Sequence, residues 1–242
     1  MAKDRSDTTP APTARRGEPA SASARAEIEA FLKRARTLAP GARSRLIFAL
    51  DATMSRQPTW DEACRLQADM FQEAGAIGGL DVQLVYYRGL SECRASRFVS
   101  DARMLGALME KIACRGGHTQ IGRILTHARR ETEARQVQAL VFVGDAMEEA
   151  LDDLCAGAGQ LGLLNVPAFM FQEGGDPVAE QAFREIARLT RGAYCRFDLG
   201  AAHQLRELLR AAAAYAAGGI KALADLSQRR SAGAQRLLAQ LR

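Results

Sequence analysis

The 242-residue chain has no apolar run approaching the ~20 residues that a membrane-spanning helix needs. Its first 23 residues, MAKDRSDTTPAPTARRGEPASAS, hold no apolar stretch, so a secretory signal is not expected and the reading is a cytoplasmic protein. Aromatic residues make up only 6% of the chain, which leaves few rings for stacking on unpaired bases. Cysteines stand at 64, 93, 114, 155 and 195; their number is odd and no two form a CxxC pair. A disulfide framework and a zinc ribbon are therefore both unexpected, and a reducing compartment fits best. Cys64, Cys114 and Cys195 fall in apolar-periodic stretches and read as small core residues. No internal repeat is visible.

What is present is ample core material, with 48% of residues hydrophobic. A chain of this length forms one domain with appendages and folds without disulfide or structural metal. The net charge of +5 is unevenly placed. Residues 206–242 carry seven Lys or Arg against two acids, whereas the middle of the chain is slightly acidic. A basic tail on a near-neutral domain invites an acidic partner.

Along the chain, residues 1–24 read as a disordered leader, because their Pro, Ala, Ser, Thr and Arg offer almost nothing large to bury. An amphipathic helix over about 25–38 opens the domain, which runs to residue 217. The runs Leu46–Leu50 and Ala139–Val143 are short and nearly continuously apolar, as in strands covered on both faces. Thr59-Trp60-Asp61-Glu62 is a capping box that opens a helix to about Ala76. Further strands are expected over Leu80–Tyr87, Glu92–Phe98 (an edge strand), Asn165–Phe171 and Ala193–Phe197. Helices are expected over Asp101–Cys114, Gln120–Arg135, Glu148–Leu161, Pro177–Thr190 and 201–217. A last amphipathic helix fills 218–242, broken from its predecessor at Gly218-Gly219, and its apolar stripe must be buried on its own domain or on another chain. This alternation predicts an α/β fold: a doubly wound, mainly parallel central sheet with helices on both faces and one antiparallel edge strand.

In open α/β sheets, sites lie beyond the carboxyl ends of the strands at the topological switch point. Those positions hold Asp51-Ala52-Thr53-Met54-Ser55 after the first strand and Gly144-Asp145 after the strand 138–143, with Gly116-Gly117-His118-Thr119 leading into a helix between them. If the two strands are neighbours, two carboxylates and three hydroxyls share one rim. Such a hard-oxygen set suits Mg²⁺ or Mn²⁺.

Asp51-x-Thr53-x-Ser55, then Thr119, then Asp145 resembles the five-residue metal-ion-dependent adhesion site of von Willebrand factor type A (VWA) domains, D-x-S-x-S with a distant Thr and a distant Asp. The order and separations are similar to the family's, and the likeness spans about residues 44–217. Thr53 stands in place of the first serine, His118 directly precedes Thr119, and Ala146 stands where many relatives have Gly. The resemblance implies that Thr53, Ser55 and Thr119 bind the ion directly or through water, that Asp51 and Asp145 supply charge, and that an open position takes a carboxylate from a protein partner. It implies recognition rather than turnover, in a stand-alone intracellular domain of bacterial type, with an AAA+ ATPase or chelatase-like complex as a partner by analogy.

Other readings stand beside this one. Taken singly, Asp51 or Asp145 could be a capping residue. The basic C-terminal tail could bind nucleic acid, and a Mg²⁺-bound water could hydrolyse a phosphoester, with Arg56 and His118 as the candidate helpers. His118 reads as a solvent-exposed loop residue, and neither His127 nor His203 has a partner that the sequence can name. Gly157-x-Gly159-x-x-Gly162 matches GxGxxG but ends a helix and precedes a strand, the reverse of a dinucleotide site.

Overall fold

The computed structural model describes residues 43–56, 79–198 and 201–241. The leader, the helix expected over 25–38, the capping-box helix and Cys64 lie outside them. The strands are β1 (Ser44–Asp51), β2 (Leu80–Arg88), β3 (Glu92–Ala95), β4 (Ala139–Gly144), β5 (Ala168–Glu173) and β6 (Ala193–Phe197). The helices are α1 (Ala102–Met109), α2 (Ile121–Ala134), α3 (Leu151–Leu163), α4 (Pro177–Thr190), α5 (Ala202–Gln228) and α6 (Ala232–Leu238). The six strands form one sheet in the order β3-β2-β1-β4-β5-β6, parallel throughout except for β3, which runs antiparallel to β2 at the edge.

The continuous apolar strands follow from burial on both faces. Leu46, Phe48 and Leu50 of β1 enter one core with residues of α1, α5 and α6, while Ile47 and Ala49 enter the other with residues of α2, α3 and α4. This is the doubly wound arrangement expected from the strand–helix alternation. Local chemistry sets the ends of several helices. Asp176 accepts from Ala179 N at 2.7 Å and Pro177 follows it at the head of α4, which stops at Arg191 with φ 57°. Gly157 and Gly162 lie within α3; a side chain at 157 would press on Leu125 of α2 and one at 162 would collide with the Leu189 carbonyl of α4. The GxGxxG run thus serves helix packing.

The C-terminal helical stretch breaks where expected. At Gly218-Gly219 the backbone leaves the helix, with Gly219 at φ 67°, ψ −160°, a region open essentially to glycine alone, so α5 is two helices joined across a kink. A second break, not expected, falls at Arg229–Arg230, where Ser231 accepts from Ala234 N and caps α6. Leu223, Leu226 and Leu237 are buried and Leu238 and Leu241 pack against the same core, so the stripe is buried on its own domain except at Ile220, which is exposed. Gln240 then reaches β6: its Oε1 accepts from Tyr194 N and its Nε2 donates to Tyr194 O, both at 2.9 Å, while Arg236 donates to Arg196 O at 2.7 Å. No helix among the described residues is long and apolar enough to cross a membrane.

Candidate metal centre

The strands β1 and β4 are neighbours, with Leu50 opposite Val143, so the switch point lies between their carboxyl ends. Asp51 closes β1 and is fully buried; its Oδ1 accepts from Thr53 N at 2.8 Å and its Oδ2 from the Tyr87 hydroxyl at 2.9 Å. A 3₁₀ turn over Met54–Arg56 follows, and it brings the Thr53 and Ser55 hydroxyl oxygens to 3.1 Å of each other. Gly144 has no side chain for a close-packing reason. A Cβ there would strike the Phe142 ring and come within 3.5 Å of the Asp51 Cβ. Asp145, the next residue, therefore stands beside Asp51, and its Oδ1 is buried without a hydrogen-bond partner.

The position of Asp51 has electrostatic consequences. Burial raises the Asp51 carboxyl above its ordinary value, hydrogen bonds from Thr53 oppose the rise, and the Asp145 charge adds to it. Burial likewise pushes the Tyr87 hydroxyl well up, with the Asp51 charge reinforcing it, so Tyr87 is a permanent donor to Asp51.

Thr119 arrives on the loop that leads into α2. Arg115 N donates to Ala52 O at 3.0 Å, and Gly117 lies so close to the Gly89 backbone that no side chain fits between them. The Thr119 hydroxyl accepts from Glu148 N at 2.9 Å, and Thr119 N donates to Glu148 Oε2 at 3.1 Å. Thr119 is thus not the N-cap of α2; Gln120 holds that position and makes no side-chain cap. The cap comes from across the rim, where Glu149 accepts from Ile121 N (2.6 Å) and Gly122 N (2.8 Å). For the same reason α3 begins at Leu151 rather than at Glu148: both glutamates are turned toward α2. Asp145 does not cap α3 either, since Ala150 stands at its N-cap.

Asp51, Thr53 and Ser55 are therefore joined in one hydrogen-bonded turn, Asp145 adjoins Asp51, and Thr119 is latched to the chain three residues beyond Asp145. Among the described residues no three His, Cys, Asp or Glu side chains gather as a metal site. The rim offers instead two carboxylates and three hydroxyls, hard oxygen donors throughout, with the orphaned Asp145 oxygen a group that a divalent cation would satisfy.

No family model and no curated protein matches the chain. Solved structures do. A von Willebrand factor type A protein from Catenulispora acidiphila superposes with a TM-score of 0.58 at 17% identity, over 73% of this chain and 43% of that one. The SpRpn10 VWA domain gives 0.53 at 14% identity, over 65% and 88%. Proximal thread matrix protein 1 from the mussel byssus, with a zinc-occupied MIDAS motif, gives 0.58 at 16% identity, over 78% and 52%. The chain has a von Willebrand factor type A fold. It spans less than half the length of the Catenulispora protein.

Within this VWA fold, several rim residues escaped the sequence reading. Tyr87 looked like an ordinary strand aromatic. Glu148 and Glu149 looked like the first turn of a helix, although two acids three and four positions past a rim aspartate are a usable signal for a cap in trans. Arg56, expected only as a helper to a metal-bound water, is instead 1% exposed and pairs with Glu173, 2% exposed, at the end of β5. Burial lowers the Arg56 guanidinium, and the charges of Asp145 and Asp51 oppose that. The VWA rim thus carries its own buried cation among three acids. His118 is exposed as expected and pairs with Glu148 at 3.1 Å. His127 does have a partner, Gln83 Oε1 at 2.8 Å.

Proposed function

We propose that this VWA domain is a divalent-metal-dependent docking module. In this reading Asp51, Thr53, Ser55, Thr119 and Asp145 hold Mg²⁺ or Mn²⁺, and a partner protein's Asp or Glu completes the site. The observation that carries it is the buried Oδ1 of Asp145, which makes no hydrogen bond, beside the buried Asp51 carboxylate: that oxygen is the group a bound cation would satisfy. The hydroxyls of Thr53 and Ser55, already paired at 3.1 Å, present their remaining lone pairs from one turn. Tyr87 and Thr53 N orient Asp51, and Glu148 orients Thr119. When bound, the cation supplies an open position for an incoming carboxylate. The role is recognition rather than turnover, with a cytoplasmic setting and an adaptor task beside an AAA+ or chelatase-like complex as its extension by analogy.

Titration calorimetry with Mn²⁺ tests the centre. The wild type binds one ion, Asp145→Asn weakens binding at least tenfold, and Cys195→Ala leaves it unchanged. Equal affinity in wild type and Asp145→Asn refutes the assignment.

A further inference from the structure

Between β3 and α2 lies an open groove of about 440 Å³. On one side α2 presents Arg123, His127 and Arg130, at the i, i+4, i+7 spacing of one helix face. On the other stand Ser91 and Cys93 at the edge of the sheet. The charges here are poorly compensated. Arg123 donates to the Ser91 carbonyl and to Gln120 Oε1, both neutral. Among the described residues Arg130 has no carboxylate partner, because Glu131 is committed to Arg45 and Glu133 to Arg129. On the β3 side Glu92 alone serves three guanidiniums, Arg88 at 3.0 Å, Arg94 at 3.3 Å and Arg115 at 3.8 Å. Along this edge, then, three arginines share Glu92, while Arg123 and Arg130 pair with no carboxylate among the described residues.

The groove also points somewhere. Arg115 N is hydrogen-bonded to Ala52 O, inside the Asp51–Ser55 segment, and Gln120, which Arg123 grips, directly follows Thr119. At 1.5 Å per helical residue, Arg123 lies about 6 Å and Arg130 about 16 Å along α2 from the rim. An extended chain at ~3.3 Å per residue covers that path in about five residues.

We propose that this groove receives an extended acidic segment of the partner, one whose Asp or Glu sits at the metal centre and whose further acids, within about five positions, pair with Arg123 and Arg130. The inference rests on the docking function above and specifies its ligand. Charge complementarity selects a peptide over a nucleic acid. No Phe, Tyr or Trp lines the groove to stack a base, whereas the carboxylates of an extended peptide can pair with its arginines one by one.

The test uses the full chain and a fluorescein-labelled peptide, Asp-Asp-Gly-Glu-Glu-Ala-Glu-Glu, read by fluorescence anisotropy in Mn²⁺ and in EDTA. A control peptide has Gln for Glu and Asn for Asp. The acidic peptide binds more tightly than the control, and R123Q/R130Q weakens it at least tenfold while Mn²⁺ affinity by calorimetry is not weakened. If the wild type binds no Mn²⁺, the docking function fails, yet the groove is still decided: in EDTA, a residual, salt-sensitive affinity lost in R123Q/R130Q supports it. Equal peptide affinity in wild type and R123Q/R130Q under both conditions overturns the groove. So does tight binding of a single-stranded RNA 12-mer with none of the peptide.

Discussion

Replacing Arg56 by Met tests the most consequential charge in the rim. The magnitude depends on which regime the Arg56–Glu173 pair belongs to. An exposed pair contributes about 0–1 kcal/mol, whereas removing one partner of a buried pair costs about 3–5 kcal/mol, because the other charge is left without compensation. Exposures of 1% and 2% put this pair in the buried regime. For a domain of this size a loss of 3–5 kcal/mol lowers Tm by about 6–20 °C, which leaves the protein folded at room temperature. Adding Glu173→Gln removes the stranded charge, so the double variant recovers at least about 2 kcal/mol relative to additivity. The same variant changes the rim's attraction for a cation. Arg56 feels the charges of Asp145 and Asp51, so it also repels a cation that those carboxylates hold. Arg56→Met therefore tightens Mn²⁺ binding, and saturating Mn²⁺ returns part of the lost Tm through linkage. Thermal melts of wild type, both single variants and the double variant, with and without Mn²⁺, decide the matter. A Tm loss under about 2 °C for Arg56→Met, or strict additivity in the double variant, refutes the buried-pair argument.

Three further outcomes are expected. Burial holds His127 below its ordinary value, against the pull of Glu131 and together with Arg130 and Arg45; its neutral ring contributes stability above the unfolded value near 6.5 that is lost as pH falls below it. Urea titrations between pH 7 and 5 show that loss, and His127→Gln flattens it. Gly219→Ala forces a side chain into a glycine-only conformation and costs about 1–3 kcal/mol in the same assay. Gln240→Ala strips two hydrogen bonds from the edge of β6, costs about 1 kcal/mol, and raises aggregation measured by light scattering.

The sequence and the structure agree where burial dictates the residue types. Leu46–Leu50 and Ala139–Val143 could only be strands covered on both faces, and their carboxyl ends were the places to look for a site. The hydrogen-bonded turn that joins Asp51, Thr53 and Ser55 was legible because a chain leaving a strand turns within a few residues, so the grouping is local. What escaped notice comes from long-range contacts. Glu149 caps α2 from 27 residues further along, and Arg56 meets Glu173 on a strand two places away, neither of which any local pattern encodes. The C-terminal break at Gly218-Gly219 was legible because a glycine pair marks where a helix can bend, whereas the second break, which the hydroxyl of Ser231 caps, was overlooked.

The carboxamide of Gln240 has a consequence for assembly. By accepting from and donating to Tyr194 it occupies the place that an added strand would take, and Arg236 covers the next carbonyl but one along the edge. A sheet sealed in this way on one side can be lengthened only from the other, across the full width of six strands. Edge-to-edge joining therefore terminates after a single event and cannot run on into a filament, because every joined copy presents a closed side to the next.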